Sequence, residues 1–190
     1  MTVGFTYIAL LTESSVRNGI LKWVTRENVH VDRTACPWLI KRFIDRRAEF
    51  VFVPADKIGD VVRRDAAIPF DAPDVELGHH GNKCSFDAIV EKYHIEDPAI
   101  LKMAEIVRAA DTDPSLASEG SGVEALMAGV SMIAKNDHDS LRLAGPIYDA
   151  LFGYCKMQVI KEKHASELEK MNKKERRVFL RGKINEWGDQ

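Results

Sequence analysis

Two stretches of this sequence carry side chains whose types and spacing can do chemistry. The first is Gly78-His79-His80-Gly81, followed by Cys84 and Asp87. Two imidazoles and a thiolate are a ligand set for a transition metal such as zinc, iron or manganese, and Asp87 can add an oxygen. Adjacent histidines rarely face one ion together, so one would be a ligand and the other its support. The flanking glycines let the loop turn tightly or approach a ligand closely. Asp111, which closes a later helix, can enter the same site from its own turn. A polar surface loop with two ordinary histidines, and an aspartate that only forms a turn, fit these positions as well.

The second stretch holds Arg26, Asp32, Arg33 and Cys36. Guanidinium groups match pairs of oxygens, and the free N–H groups of a helix start supply further donors, so Arg26 and Arg33 suit a small oxyanion. The plainer reading is a surface Asp–Arg pair of little energetic weight. Cys36 precedes Pro37, which places it at the mouth of a helix, where the dipole and Arg33 and Arg42 would lower a thiol pKa. The plainer reading, which the burial habit of free cysteine favours, is a small core residue against Trp38. His138, between Asp137 and Asp139, marks an acidic helix start. The basic stretch 170–183 reads as a solvated helix face, with nucleic acid or a partner protein as the sharper alternative.

These side chains must be held by regular elements. Residues 21–26 alternate like a strand, and 48–54 have strand composition ending at proline. Between them, apolar residues recur at helical spacing over 37–45, with Pro37 in the first turn, or else in a helix that starts earlier with Asp32 as its cap. Residues 55–64 look helical. Residues 65–83 are loop-rich, with a short strand at 75–77. Ser85 is placed to cap the next helix, and Asp97-Pro98 opens another that runs to about Ala110. Ser121 and Glu124 form a capping-box pattern for a helix to about Ala134. Asn136 or Asp137 caps a long helix with a kink expected at Gly145-Pro146. Residues 164–187 are charged and helical in composition. The fold class is therefore α+β, mainly helical, with a small sheet packed beside a larger helical layer. The organisation expected is a leader over 1–21, a domain over 22–157 and a charged helical tail over 158–190.

Bulk properties restrict the function. The 190 residues suffice for one domain of ordinary size. With 45% apolar and 29% charged residues the chain has the balance of a globular protein rather than a disordered one. A net charge of -2 gives no global field toward nucleic acid or an anionic membrane. No apolar run approaches the roughly 20 residues of a membrane span. The apolar run 5–11 lacks the flanks of a signal peptide, so a cytoplasmic location is expected. Three cysteines without close spacing make neither a disulfide framework nor a zinc ribbon.

Several long motifs occur in order: WVTRENVHVDRTACPWLIKRFID, AEFVFVPAD, IPFD, GHHGNKCSFDAIVEKY, DPAILKMAEIVRAADTD and IYDALFGYC. On these the chain resembles the chromate resistance protein family, and more narrowly the C-terminal domain of the chromate-responsive regulator ChrB and its stand-alone relatives. The resemblance covers roughly residues 22–157. It implies a bacterial accessory or sensor domain of chromate resistance, binding an oxyanion (chromate or sulfate) or a transition metal. Arg26, Asp32, Arg33 and Cys36 would face the anion, while His79, His80, Cys84, Asp87 and Asp111 would face the metal. The alternative is a metal-dependent or thiol-dependent enzyme, a hydrolase or a chromium reductase. No membrane and no autonomous DNA binding are expected. A homodimer or a separate DNA-binding partner protein are the partner readings.

Overall fold

The computed structural model describes residues 20–187, so the apolar run 5–11 and nearly all of the expected leader lie outside the described residues. The described chain opens with a β-α-β-α-β run. Strands β1 (Lys22–Arg26), β2 (Glu49–Val53) and β3 (Ile68–Pro69) form a parallel sheet in the order β2-β1-β3. Trp23 lies opposite Phe50 and Ile68, and Val24 opposite Val51 and Pro69. Alternation sends Trp23, with Phe50, into the main core, where Phe70 also sits. It sends Val24 to the other face, against Ile58 and Val61 of α2 (Ile58–Asp65). Trp23 and Val24 are both fully buried, as a parallel sheet covered on both faces requires.

The helix after β1 takes the earlier of the two expected starts, with His30 rather than Asp32 at its N-cap. α1 spans Val31–Leu39, so Pro37 lies inside it rather than in its first turn. Tertiary burial overrides the proline signal, because Val31, Ala35 and Leu39 all pack into the main core. Pro37 has no N–H to give to the helix. The helix then widens into a π-turn over Ile40–Ile44, closed by the Asp45 amide donating to the Ile40 carbonyl at 2.8 Å. The 65–83 region also differs. Its strand is the two-residue β3, and Leu77 makes only an isolated bridge to Phe70. Pro69 cannot donate to a ladder, which suits an edge strand.

The helical layer comprises α3 (Ser85–Lys92), α4 (Pro98–Asp111), α5 (Gly120–Ile133), α6 (Asp137–Lys163), α7 (Ala165–Glu169) and α8 (Lys173–Glu186). The Asp97 carboxylate caps α4 by accepting from the amides of Ala99 and Ile100, and Asn136 caps α6. The capping box expected at Ser121 does not form. Instead α5 starts at Gly120, where an added Cβ would lie 2.7 Å from that of Ala109, so close packing on α4 sets the start. α6 remains one helix through Gly145-Pro146 and past residue 157. The result is α+β and mainly helical, as the element order predicts. Among the described residues, no helix is long and apolar enough to cross a membrane.

Candidate metal centre

In the order β2-β1-β3, the chain leaves β1 toward one neighbour while β3 lies on the other side. The crevice beyond the carboxyl ends of such strands is where open parallel sheets place ligands. Four elements deliver side chains there. Asp32 comes from the first turn of α1, Asp71 follows β3, His79 lies in the loop before α3, and Asp111 is the last residue of α4. The Nε2 atom of His79 is 3.3 Å from Asp32 Oδ2, 3.3 Å from Asp71 Oδ1 and 3.2 Å from Asp111 Oδ2.

The supporting bonds explain why the acids are tolerated. The Ser85 amide, at the start of α3, donates to Asp32 Oδ2 at 2.6 Å, and the Ser85 hydroxyl donates to Asp71 Oδ1 at 2.9 Å. The Asp32 amide donates to Asp111 Oδ1 at 3.4 Å. Two helix N-termini thus face the carboxylates, which the helix dipole favours. Arg33 Nη1 and Arg26 Nη2 pair with Asp71 Oδ2 at 3.0 and 3.3 Å. Arg33 Nη2 also donates to the Asn28 carbonyl. Asp71 sits at φ +43°, a left-handed conformation that aspartate adopts more readily than most residues. Gly78 is required next to His79, because a Cβ there would lie 2.8 Å from the Ala72 carbonyl oxygen.

The electrostatics follow from this crowding. Hydrogen bonding to Asp32, above all, raises the His79 pKa to about 9, with the charges of Asp32, Asp111 and Asp71 adding to it. Burial, and next the charge of Asp32, raise Asp111 to about 6. Asp32 is 2% exposed, and its Oδ1 has no hydrogen-bond partner among the described residues.

The other predicted site residues lie around this cluster. Cys36 is inside α1 and fully buried. Its thiol is raised well above the ordinary value by burial and by Asp32 and Asp71, opposite to the direction expected at a helix mouth. Cys84, not Ser85, occupies the N-cap of α3. Its thiol is also pushed far up, by burial and then by Asp32 and Asp87. Asp87 accepts from the Cys84 amide and pairs with Arg108 at 2.9 Å. His80 is exposed, with Nε2 at 2.8 Å from the Glu76 carbonyl oxygen. The structure thus brings together Asp32, His79 and Asp111, whose ligand atoms lie within 4.8 Å of one another. His80, Cys84 and Asp87 stand outside that group. Asp71 and Ser85 escaped the sequence reading as site residues, although Asp71 lay within the motif IPFD.

A family model described as ChrB, C-terminal domain, matches residues 23–155, which include all four residues of the cluster. The chain belongs to that family of chromate resistance proteins. It is similar to Protein ChrB of Cupriavidus metallidurans, being 32% identical over 134 residues. The match covers 69% of this chain and 40% of the relative, so the chain spans less than half of that relative's length. No solved structure matches the chain.

The cluster could hold a cation. Bonds of about 2.0–2.2 Å place neighbouring ligand atoms about 3.0–3.5 Å apart in tetrahedral or octahedral coordination. The imidazole-to-carboxylate separations of 3.2–3.3 Å fall in that range. Oxygen-rich donors with one imidazole suit manganese, iron or zinc better than soft Cu(I). The His79 side chain is 43% exposed, which leaves a side of the centre open to solvent or a further ligand.

Proposed function

We propose that this chain is a metal-binding sensor or accessory domain of bacterial chromate resistance. Asp32, His79 and Asp111 would hold one divalent first-row ion, with Asp71 completing or bracing the set. The observation that carries this reading is the convergence of three carboxylates from separate elements on one His79 nitrogen, with a buried Asp32 oxygen left unpartnered. Without an ion, a proton on His79 offsets the acids. With one, His79 would be neutral and the ion would take over that charge. Arg26 and Arg33 support the cation reading over direct oxyanion binding, since both already address Asp71 and an oxyanion would compete with that carboxylate. The raised thiols of Cys36 and Cys84 favour metal chemistry over a thiolate nucleophile. Calorimetry of chelator-treated protein with Mn²⁺, Fe²⁺ and Zn²⁺ tests the proposal. Binding to at least one, abolished in His79→Ala, is expected. Absence of binding to all three would overturn it.

A further inference from the structure

A different flank of α1 borders a cleft of about 1120 Å³, between the π-turn, the start of β2 and α6. Its lining includes Lys41, Arg42, Arg46 and Arg142 against the carboxylates of Glu49 and Asp149. Arg42 pairs with Asp149 at 2.8 Å and Arg142 with Asp139 at 2.8 Å. Lys41 lies over the Phe50 ring, 5.7 Å from its centroid. Arg46 is exposed and forms no ion pair among the described residues. With those two pairs set aside, Lys41 and Arg46 stand against Glu49 alone, an excess of one positive charge, part of it presented by a π-turn, a distortion frequent at functional sites.

One wall is a strand edge. β2 is the outer strand of the sheet. The Glu49 amide donates to Leu21 and the Val53 carbonyl accepts from Glu27, so these positions turn their backbone groups toward β1. By alternation, Phe50 and Phe52 turn theirs outward. Such an edge is a template for an added strand. Gly145 of α6 forms part of the opposite wall, and a Cβ added there would meet nothing within 4 Å. A second copy pairing through β2 would bring both sets of cations together, which disfavours self-association here. A small anion would use the cations but leave the strand edge unused.

We propose that the outer edge of β2 accepts an extended acidic peptide segment of another polypeptide, as an added strand whose carboxylates meet Lys41 and Arg46. The test uses the full chain and a fluorescent peptide of about eight residues, alternating glutamate and threonine. Anisotropy should show saturable binding that weakens with salt. The double variant Lys41→Glu/Arg46→Glu, at exposed positions, should lose about tenfold or more in affinity with an unchanged circular dichroism spectrum. A peptide with proline at alternate positions should bind equally poorly, and amide resonances of Phe50 and Phe52 should shift with the glutamate peptide. Failure of the glutamate peptide to bind would overturn the proposal. So would equal binding of a lysine–threonine or proline-containing peptide, or displacement by equimolar inorganic phosphate, which would indicate a small-anion site.

Discussion

The Asp–His cluster and helix α8 both depend on charged residues, yet they use them in opposite ways. In the cluster, Asp32 and Asp71 are 2% and 3% exposed, and each meets groups from at least two other elements. α8 is denser in charge, but none of its residues is buried, and the Lys183–Glu186 pair is local to one helical turn. A cross-layer bond comes just after it, where the Trp187 indole donates to the α4 cap Asp97 at 3.1 Å. The contrast teaches that charge density along a sequence says little about energetic weight. Burial decides it, because a desolvated charge must have its partners whereas a solvated one need not.

The sharpest way to break this contrast is Asp71→Ala. It strands Arg33 and Arg26 and removes the acceptor of the Ser85 hydroxyl, so a loss of roughly 3 kcal/mol is expected in urea unfolding. An Arg177→Ala change on α8 should leave the midpoint where it is. If the two variants unfold alike, the contrast fails. Next comes Gly78→Ala, whose new methyl meets the Ala72 carbonyl. A cost of about 1–3 kcal/mol and a weakened metal affinity should appear together, because the displaced residue is His79.

A pH series on chelator-treated protein gives a smaller effect of definite sign. His79 is raised from 6.5 to about 9, so its contribution is fully present below the lower value and is lost as pH rises through the upper one. Asp111 is raised from 3.8 to about 6 and acts in the same direction over its lower window. Stability should therefore fall between pH 7 and 9.5, and His79→Gln should flatten that fall. A rise in wild-type stability over this window would contradict the site's electrostatics. The least effect is expected from Trp187→Phe, which removes one partly buried hydrogen bond worth about 1 kcal/mol. Thermal denaturation should register it without any change in metal binding.

Much of the fold was legible because its signals are local. The alternation in β1, the composition of β2 and the Asp97-Pro98 cap each depend on a few neighbouring residues, and each element formed near its expected bounds. The choice between the two starts of α1 was not legible, because burial of Val31 and Ala35 outweighs the preference of Pro37 for a first turn. β3 escaped notice because two residues, one of them proline, carry no periodicity. In the site, His79 and Asp111 were candidate metal ligands from residue type. Sequence alone places Asp32 in an anion cradle, since its neighbour is an arginine. Only the fold shows that Arg33 turns to Asp71 while Asp32 turns to His79. Asp71 itself lies far in sequence from its partners, with separations of 38 and 45 residues to the two arginines, so no spacing rule reaches it.

The central claim is tested most directly by elemental analysis of protein purified without chelators, read beside that of Asp32→Ala and His79→Ala. One first-row metal ion per wild-type chain is predicted, with both variants metal-free yet still helical by circular dichroism. A wild-type protein that carries no metal and takes up none from Mn²⁺, Fe²⁺ or Zn²⁺ would contradict the account, as would variants that retain the ion at full stoichiometry.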